Sequence, residues 1–503
     1  ERNRISYILA VVLGTTQMKL MLLDESTKTV CVVAEKYPTY VNEKGWMEQK
    51  PADWLYALKK GVSELSEAVD IKSVEVISFS GHMSSVVLMD DKGEVLYPCI
   101  MLSDSRSQRQ CDELERRVGP LIKERTGNTV NNAFSLPKLL WLYEEKPDIY
   151  AKTKVWVSAK DYLRYCLTGV CETEYTDAYN SLCTQPGKAE WDEEIIAKSG
   201  LDKEMFPTVR SPYDRCGSVT KEAAAAFGLK AGIPVVAGAA DMACAALGAG
   251  LWENGDSALT LGTCATYLSV VPGINEKYYG QITFHPCVEK GKMFALGSHF
   301  NGGAAVNWIS GILSEKGQID YEMLAKLSKE AESVPAGSGG MITIPFLAGS
   351  GSPYFCASDR QHVIGMRMNT TRAEVFRSEL EGITYNLRQT FEAFREMSGV
   401  SKILLGGGGV RIGIWPQIIA DIFGIPADIS QQSDVSTVGA AIIAGVSAGI
   451  FKDAKATAEN CLKIQERKDP SDENKKLYDH LYDRYLNYYK ITNILDSEDK
   501  YGR

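Results

Sequence analysis

Leu13-Gly-Thr-Thr-Gln-Met-Lys-Leu-Met-Leu-Leu23 and Leu261-Gly-Thr-Cys-Ala-Thr-Tyr-Leu-Ser-Val-Val271 share one layout: the end of an apolar strand, a Gly-Thr turn, and a second apolar strand. Taken singly, such a turn is a hairpin and nothing more. Two copies this far apart in a chain of 503 residues indicate two domains built to one plan, not a solenoid, whose period is far shorter. Each turn offers close backbone approach at glycine, free amides and a hydroxyl. Two of them facing each other across a cleft could hold the phosphates of one nucleotide.

Working outward from the first copy, the apolar runs 7–13, 17–23 and 29–34 read as three strands of an antiparallel meander. A helix opens at Pro51, with Asp53 near its positive end. Residues 74–80 form a buried strand ending at Gly81-His82-Met83-Ser84, and a strand over 95–102 runs into Ser103-Asp104-Ser105-Arg106. His82, Met83, Asp104 and Arg106 therefore stand at strand ends, where an α/β sheet carries its ligands; solvated loop chemistry is the competing reading. Around the second copy, a strand over 293–300 leads into Gly302-Gly-Ala-Ala-Val-Asn307, a helix opening, and the strand from Lys402 ends in four glycines, 406–409. Consecutive glycines are entropically costly, which favours close approach of a ligand over a mere turn. Helices are predicted over 371–397, 415–423 and 474–495, the last carrying a Tyr/Leu stripe that packs back on the body.

Within residues 231–252, Asp241 is the only charged side chain. Burial without a partner costs several kcal/mol or moves the pKa toward neutral, so something polar must meet it. Residues 233–237 read as a buried strand, 238–241 as a turn and 242–247 as the start of a small-residue helix. Three roles stay open at this point: an acid inside a membrane span, which Pro234 and the glycines oppose, a helix-capping Asp without chemistry, and a general base at the mouth of a cleft.

With 45% hydrophobic and 24% charged residues the chain has an ordinary soluble composition, and its net charge of -9 argues against a nucleic-acid surface. Twelve cysteines without a C-x-x-C pair read as reduced thiols, and five histidines show no metal-ligand spacing. The first residues lack a signal segment, so the cytoplasm is the expected location. Gly445-Val-Ser447-Ala-Gly449 has nucleophile-elbow spacing but lies inside a helix predicted over 438–450, and no G-x-x-x-x-G-K-[ST] loop exists.

Several separated motifs resemble the FGGY carbohydrate kinases, in their xylulokinase-like branch. They are Leu13-Gly-Thr-Thr16, Gly45-Trp-Met-Glu-Gln49, Ser80-Gly-His-Met83, Ser135-Leu-Pro-Lys138, the run 238–250, Leu261-Gly-Thr263, Glu379-Leu-Glu-Gly382, the glycines 406–409 with Trp415, and Ser436-Thr-Val-Gly-Ala440. The resemblance implies an α/β fold of two actin-like, ribonuclease H-like domains around a central cleft. It places a sugar-binding domain at 5–250, a nucleotide-binding domain at 251–450 and a helical extension at 451–503. Asp241 then corresponds to the family's base, taking a proton from a sugar hydroxyl while the γ-phosphoryl of ATP transfers in line with Mg²⁺. By similarity, Thr15 and Thr16 face the transferring phosphate, Gly262 and Thr263 hold the β/γ region, and Gly303, Asn307, Gly408 and Gly409 contact adenosine and the α-phosphate. His82, Met83, Ser84, Asp104 and Met242 fall where the family reads its polyol. The partners implied are a small sugar and ATP, with neither nucleic acid nor membrane, and a homodimer is compatible.

The sequence departs from the family at three places. Val12 stands where an Asp that helps to hold Mg²⁺ is usual, and valine supplies no oxygen ligand, so the metal ligands stay open. His82-Met83-Ser84-Ser85 replaces the branch's Gln-Met-His-Gly, and Met242 an Asn or Gln. The leading expectation is an ATP-dependent sugar kinase for a ketose, polyol or related sugar. The alternative, set by Val12, is a pseudokinase that binds nucleotide or sugar without chemistry.

Overall fold

The residues from Tyr7 to Leu13, apolar without a break, form β1, whose last six residues are all buried. An unbroken apolar run suits a strand covered on both faces. The structure is a computed structural model and describes residues 6–314, 321–432 and 434–498; the other residues of the expected domain spans, 5 and 499–503 among them, lie outside. The chain divides into two compact units, Glu1–Trp252 with Phe284–Met293 and Asp434–Leu462, and Glu253–Thr283 with Phe294–Ser433 and Lys463–Arg503.

In the first unit, β1 (Tyr7–Leu13), β2 (Gln17–Asp24), β3 (Thr29–Lys36), β4 (Val74–Gly81), β5 (Arg215–Ser218) and β6 (Pro234–Ala240) make one sheet in the order β5-β6-β4-β1-β2-β3. The expected meander is there: β1 and β2 pair antiparallel, as do β2 and β3. On the other side β1 pairs parallel with β4, and β4 parallel with β6. The Pro51–Ala68 helix starts with its proline, carries Asp53 in its first turn, and buries Trp54, Leu58, Val62 and Leu65. Each such side chain contributes about 1.5–3 kcal/mol by leaving water. Gly61 lets the helix sit low, since a Cβ there would lie 2.5 Å from Leu20 Cδ1.

The second unit repeats the plan. β7 (Ser257–Leu261), β8 (Ala265–Val271), β9 (Met293–His299), β10 (Ile403–Gly406), β11 (Ala427–Ser430) and β12 (Ile464–Lys468) lie in the order β9-β8-β7-β10-β11-β12. The β7–β8 hairpin is antiparallel, and β10 pairs parallel with β7 and with β11. The two Gly-Thr turns thus occupy the same place in two sheets of like order. The C-terminal helix, Asp472–Glu498, buries Tyr478, Leu481, Tyr482, Tyr485 and Tyr489, and the Tyr478 hydroxyl donates to Glu381 Oε1 at 2.6 Å. Leu477 leaves the stripe, at 39% exposed.

Two expectations need correction. Of the strand predicted over 95–102 only Cys99–Ile100 is a paired strand, beside an isolated bridge at Val95, because Pro98 supplies no N–H to a ladder. The turn predicted over 238–241 is strand up to Ala240. Gly238, at φ +75°, marks a shift of register against β4 between Val236 and Ala239, and a Cβ on it would lie 1.8 Å from the Phe79 carbonyl oxygen. The glycine makes a bulge and a close strand approach rather than a stop. Among the described residues no helix is long and apolar enough to cross a membrane.

Candidate active site

Register alone collects the first group of candidates. Leu13 is opposite Gly81, and Gly81 opposite Ala240, so the parallel strands β1, β4 and β6 end side by side. Candidates stand just past each strand end: the Gly14-Thr15-Thr16 turn after β1, His82-Met83-Ser84 after β4, and Asp241-Met242 after β6. Such carboxyl ends are where open α/β sheets place ligands.

The turn is braced from behind. Gln49 Nε2 donates to the Thr15 carbonyl at 2.7 Å, Trp54 Nε1 donates to Gln49 Oε1 at 3.0 Å, and the Tyr37 hydroxyl donates to the Gly14 carbonyl. Thr15 and Thr16 themselves are exposed. His82 is 4% exposed, lies edge-on to Trp54, and has no hydrogen-bond partner on either ring nitrogen among the described residues. Burial pushes its pKa down to about 4, leaving a neutral imidazole with one donor and one acceptor unused. Ser84, buried, sits at φ +60°, a conformation that L residues with a Cβ adopt at a cost. Met83 and Met242 are half-buried.

Asp241 is the first residue of the Asp241–Gly248 helix, whose N-cap is Ala240, with no side-chain cap. Asp241 therefore stands one residue inside the helix rather than at its N-cap. Among the described residues, its carboxylate Oδ1 accepts only the Met242 N–H, at 2.8 Å. Burial, and then the negative charge of Asp177, push its pKa up to about 7 against the pull of backbone N–H groups. The helix is made of small residues because it lies hard against the Val435–Ser447 helix. A Cβ on Gly248 would be 1.9 Å from the Val435 carbonyl oxygen, and one on Gly439 1.9 Å from that of Cys244.

Asp104 differs from the others. It is wholly buried, and its two oxygens accept from Met47 N, Arg106 N, Arg106 Nε and Arg106 Nη2 at 2.6–2.9 Å. The guanidinium it holds also meets Glu48 and lies over the Trp46 ring. Its acceptor capacity is spent inside the protein.

In the second unit, Leu261, Gly262, Thr263, Gly303, Asn307, Gly408 and Gly409 line one cavity of about 710 Å³, with Val306, Leu324 and Ile412 as apolar walls. Thr260 is opposite Gly406, so the Gly-Thr turn and the glycine run lie past neighbouring strand ends. The Gly303–Ile312 helix opens directly on the turn: Gly303 N donates to the Gly262 carbonyl at 2.8 Å and Ala304 N to that of Thr263 at 3.0 Å. The four glycines divide their work. Gly407, at φ +84°, and Gly409 press on Leu261, whereas Gly406 and Gly408 face open space. A volume of this size, with apolar walls and the open backbone at Gly408, suits a nucleotide.

The N-terminal domain of the FGGY family of carbohydrate kinases matches residues 7–248, and its C-terminal domain matches residues 253–448. The chain belongs to the FGGY family of carbohydrate kinases. It is 30% identical to a xylulose kinase of Bacillus subtilis (strain 168) over 494 residues, 98% of each chain. It is 26% identical to a gluconokinase of the same organism over 503 residues, 98% of this chain and 97% of that one. Its fold superposes on the crystal structure of xylulose kinase from Rhodospirillum rubrum with a TM-score of 0.91 at 24% identity, covering 98% of this chain and 100% of that one.

The Mg²⁺ expected from the resemblance finds few ligands among the described residues. Val12, 7% exposed, offers no oxygen at the end of β1, and among the described residues no group of three His, Cys, Asp or Glu side chains could hold a metal ion. These residues do not build a protein-held Mg²⁺ site, which would need hard oxygen ligands in octahedral array. The residues that motif reading left out are Tyr37, whose hydroxyl braces the first turn, and Thr176, whose Oγ1 accepts the Ala240 N–H at 2.9 Å. Their partners lie far away in the chain, and no local pattern announces them.

Proposed function

We propose that this chain is an ATP-dependent sugar kinase that transfers the γ-phosphoryl group to a hydroxyl of a ketose, polyol or related sugar, with Asp241 as the general base. The observation that carries the proposal is the placement of Asp241. It is a carboxylate met only by backbone N–H groups among the described residues, with a pKa near neutrality, at a strand end that adjoins His82, whose ring nitrogens have no partner among those residues, and precedes a helix. A base of that pKa removes a hydroxyl proton at physiological pH and is ionised often enough to do so.

The first unit supplies the sugar side. His82 offers a donor and an acceptor to sugar hydroxyls, Met83, Ser84 and Met242 shape the surroundings, and Asp104 acts by fixing Arg106. Thr15 and Thr16 present hydroxyls and amides to the transferring phosphate. The second unit supplies the nucleotide side, with Gly262 and Thr263 at the phosphates and Gly303, Asn307, Gly408 and Gly409 around the rest of ATP. Mg²⁺ arrives with the triphosphate, as part of the substrate. The relatives named xylulose kinase and gluconokinase favour a ketose or a sugar acid as acceptor.

ADP release measured over a panel of ketoses, polyols and sugar acids, with Mg²⁺ and ATP, is expected to show turnover with at least one of them. A second reading, favoured by Val12, is a pseudokinase that binds ATP or a sugar without chemistry. Calorimetric binding of ATP or a sugar with no turnover across the panel would replace the first reading by the second.

A further inference from the structure

Under the strand end that delivers Asp241 lies a cluster of buried charges, of which the proposed chemistry uses only the negative charge of Asp177. Lys160, Asp161, Arg164, Glu174 and Asp177 are all 0–5% exposed. Lys160 Nζ stands 2.7 Å from Asp161 Oδ1, 2.9 Å from Asp177 Oδ2 and 3.1 Å from Glu174 Oε1. Arg164 Nη1 donates to Asp161 Oδ1 at 2.7 Å and to the Ala237 carbonyl of β6 at 3.0 Å. Packed apolar groups would fill the same volume without the desolvation cost of burying ions.

One thread leads from this cluster to the proposed base. Glu174 caps the Tyr175–Tyr179 helix, accepting from Thr176 N at 2.7 Å and Asp177 N at 3.1 Å. The Thr176 hydroxyl donates to Glu174 Oε1 at 2.9 Å, which leaves its lone pairs aimed elsewhere, and Thr176 Oγ1 accepts the Ala240 N–H at 2.9 Å. Ala240 is the residue immediately before Asp241 and the N-cap of its helix. With Glu174 held by Lys160, the hydroxyl cannot turn away, and the Ala239–Ala240 peptide, one residue before Asp241, is tied to a rigid ionic core.

We propose that Thr176, oriented by Glu174 and Lys160, is a positioning residue that fixes the backbone at Ala240 and thereby aims the Asp241 carboxylate. This rests on the reading of Asp241 as the base. A displacement of about 1 Å at a reacting group costs on the order of 100-fold in rate.

The test is steady-state kinetics of the full chain on its best sugar, for Thr176→Val, Thr176→Ser and Asp241→Asn, and for Thr176→Val combined with Asp241→Asn. Thr176→Val is expected to lower kcat about 30-fold, as part of that penalty, with both KM values within about twofold. Thr176→Ser, which keeps the hydroxyl, restores kcat to within about threefold of wild type. In the Asp241→Asn background, Thr176→Val costs nothing more, because it acts through the missing carboxylate. If Thr176→Val gives no folded protein, Thr176→Ala, which likewise removes the acceptor of the Ala240 N–H, is read in its place. An unchanged kcat, a loss carried by KM, or a full additional loss on top of Asp241→Asn overturns the proposal. Wild-type kcat in Asp241→Asn itself would instead overturn the role of the base.

Discussion

Asp241→Asn is expected to lower kcat by about 1,000-fold while ATP and sugar still bind, because general-base catalysis contributes about 10²–10⁴-fold. The amide matches the carboxylate in shape and cannot take a proton. The pKa of about 7 sharpens this expectation. A carboxylate whose pKa is raised on folding contributes its full stability only while protonated, below its unfolded value of 3.8, and loses it as pH rises to about 7. Wild-type protein at pH 8 therefore carries the whole cost of keeping this ion in place. The neutral variant should melt no lower than wild type, the usual exchange between stability and activity at a working site. Turnover at the wild-type rate in a folded Asp241→Asn protein would remove Asp241 from the chemistry.

The second large effect is on stability. Gly439→Ala puts a Cβ 1.9 Å from the Cys244 carbonyl oxygen and 2.7 Å from its carbon, both backbone atoms that cannot swing aside. The Val435–Ser447 helix must then move off the Asp241–Gly248 helix, whose first residue is the proposed base. Overpacking of this kind costs about 3 kcal/mol, or roughly 5 °C in Tm for a unit of this size. Gly273→Ala is the control, since nothing lies within 4 Å of its added Cβ, and it should shift stability by no more than about 0.5 kcal/mol. Scanning calorimetry compares the two. Equal Tm values would mean that the helices are not in contact through these glycines.

Much of this was legible in the sequence because it was local. The apolar runs on either side of Gly14 and Gly262, and the loss of polarity around Asp241, are patterns of a few residues, and they located the strand ends where His82, Asp241, Gly262 and Gly408 stand. Parallel pairing then did the rest, since Leu13, Gly81 and Ala240 share a register that no local pattern states. What stayed hidden depends on partners distant in the chain. Thr176 meets Ala240 across 64 positions and Asp104 spends one oxygen on Met47 across 57. Gly238 reads as a stop because glycine in a strand has two uses, and only the Phe79 carbonyl beside it decides between them. Pro98 is the reverse case, a local signal that shortens the strand predicted over 95–102.

The role of Asp241 is decided by the pH dependence of kcat/KM on the best sugar of the panel, with Asp241→Asn measured alongside. Wild type is expected to gain about tenfold per pH unit from pH 5.5 up to a bend near 7 and to be level above it, as the base loses its proton, while the residual rate of the variant shows no such limb. A wild-type profile already level at pH 5.5, or the same limb in Asp241→Asn, would contradict a proton transfer to this carboxylate.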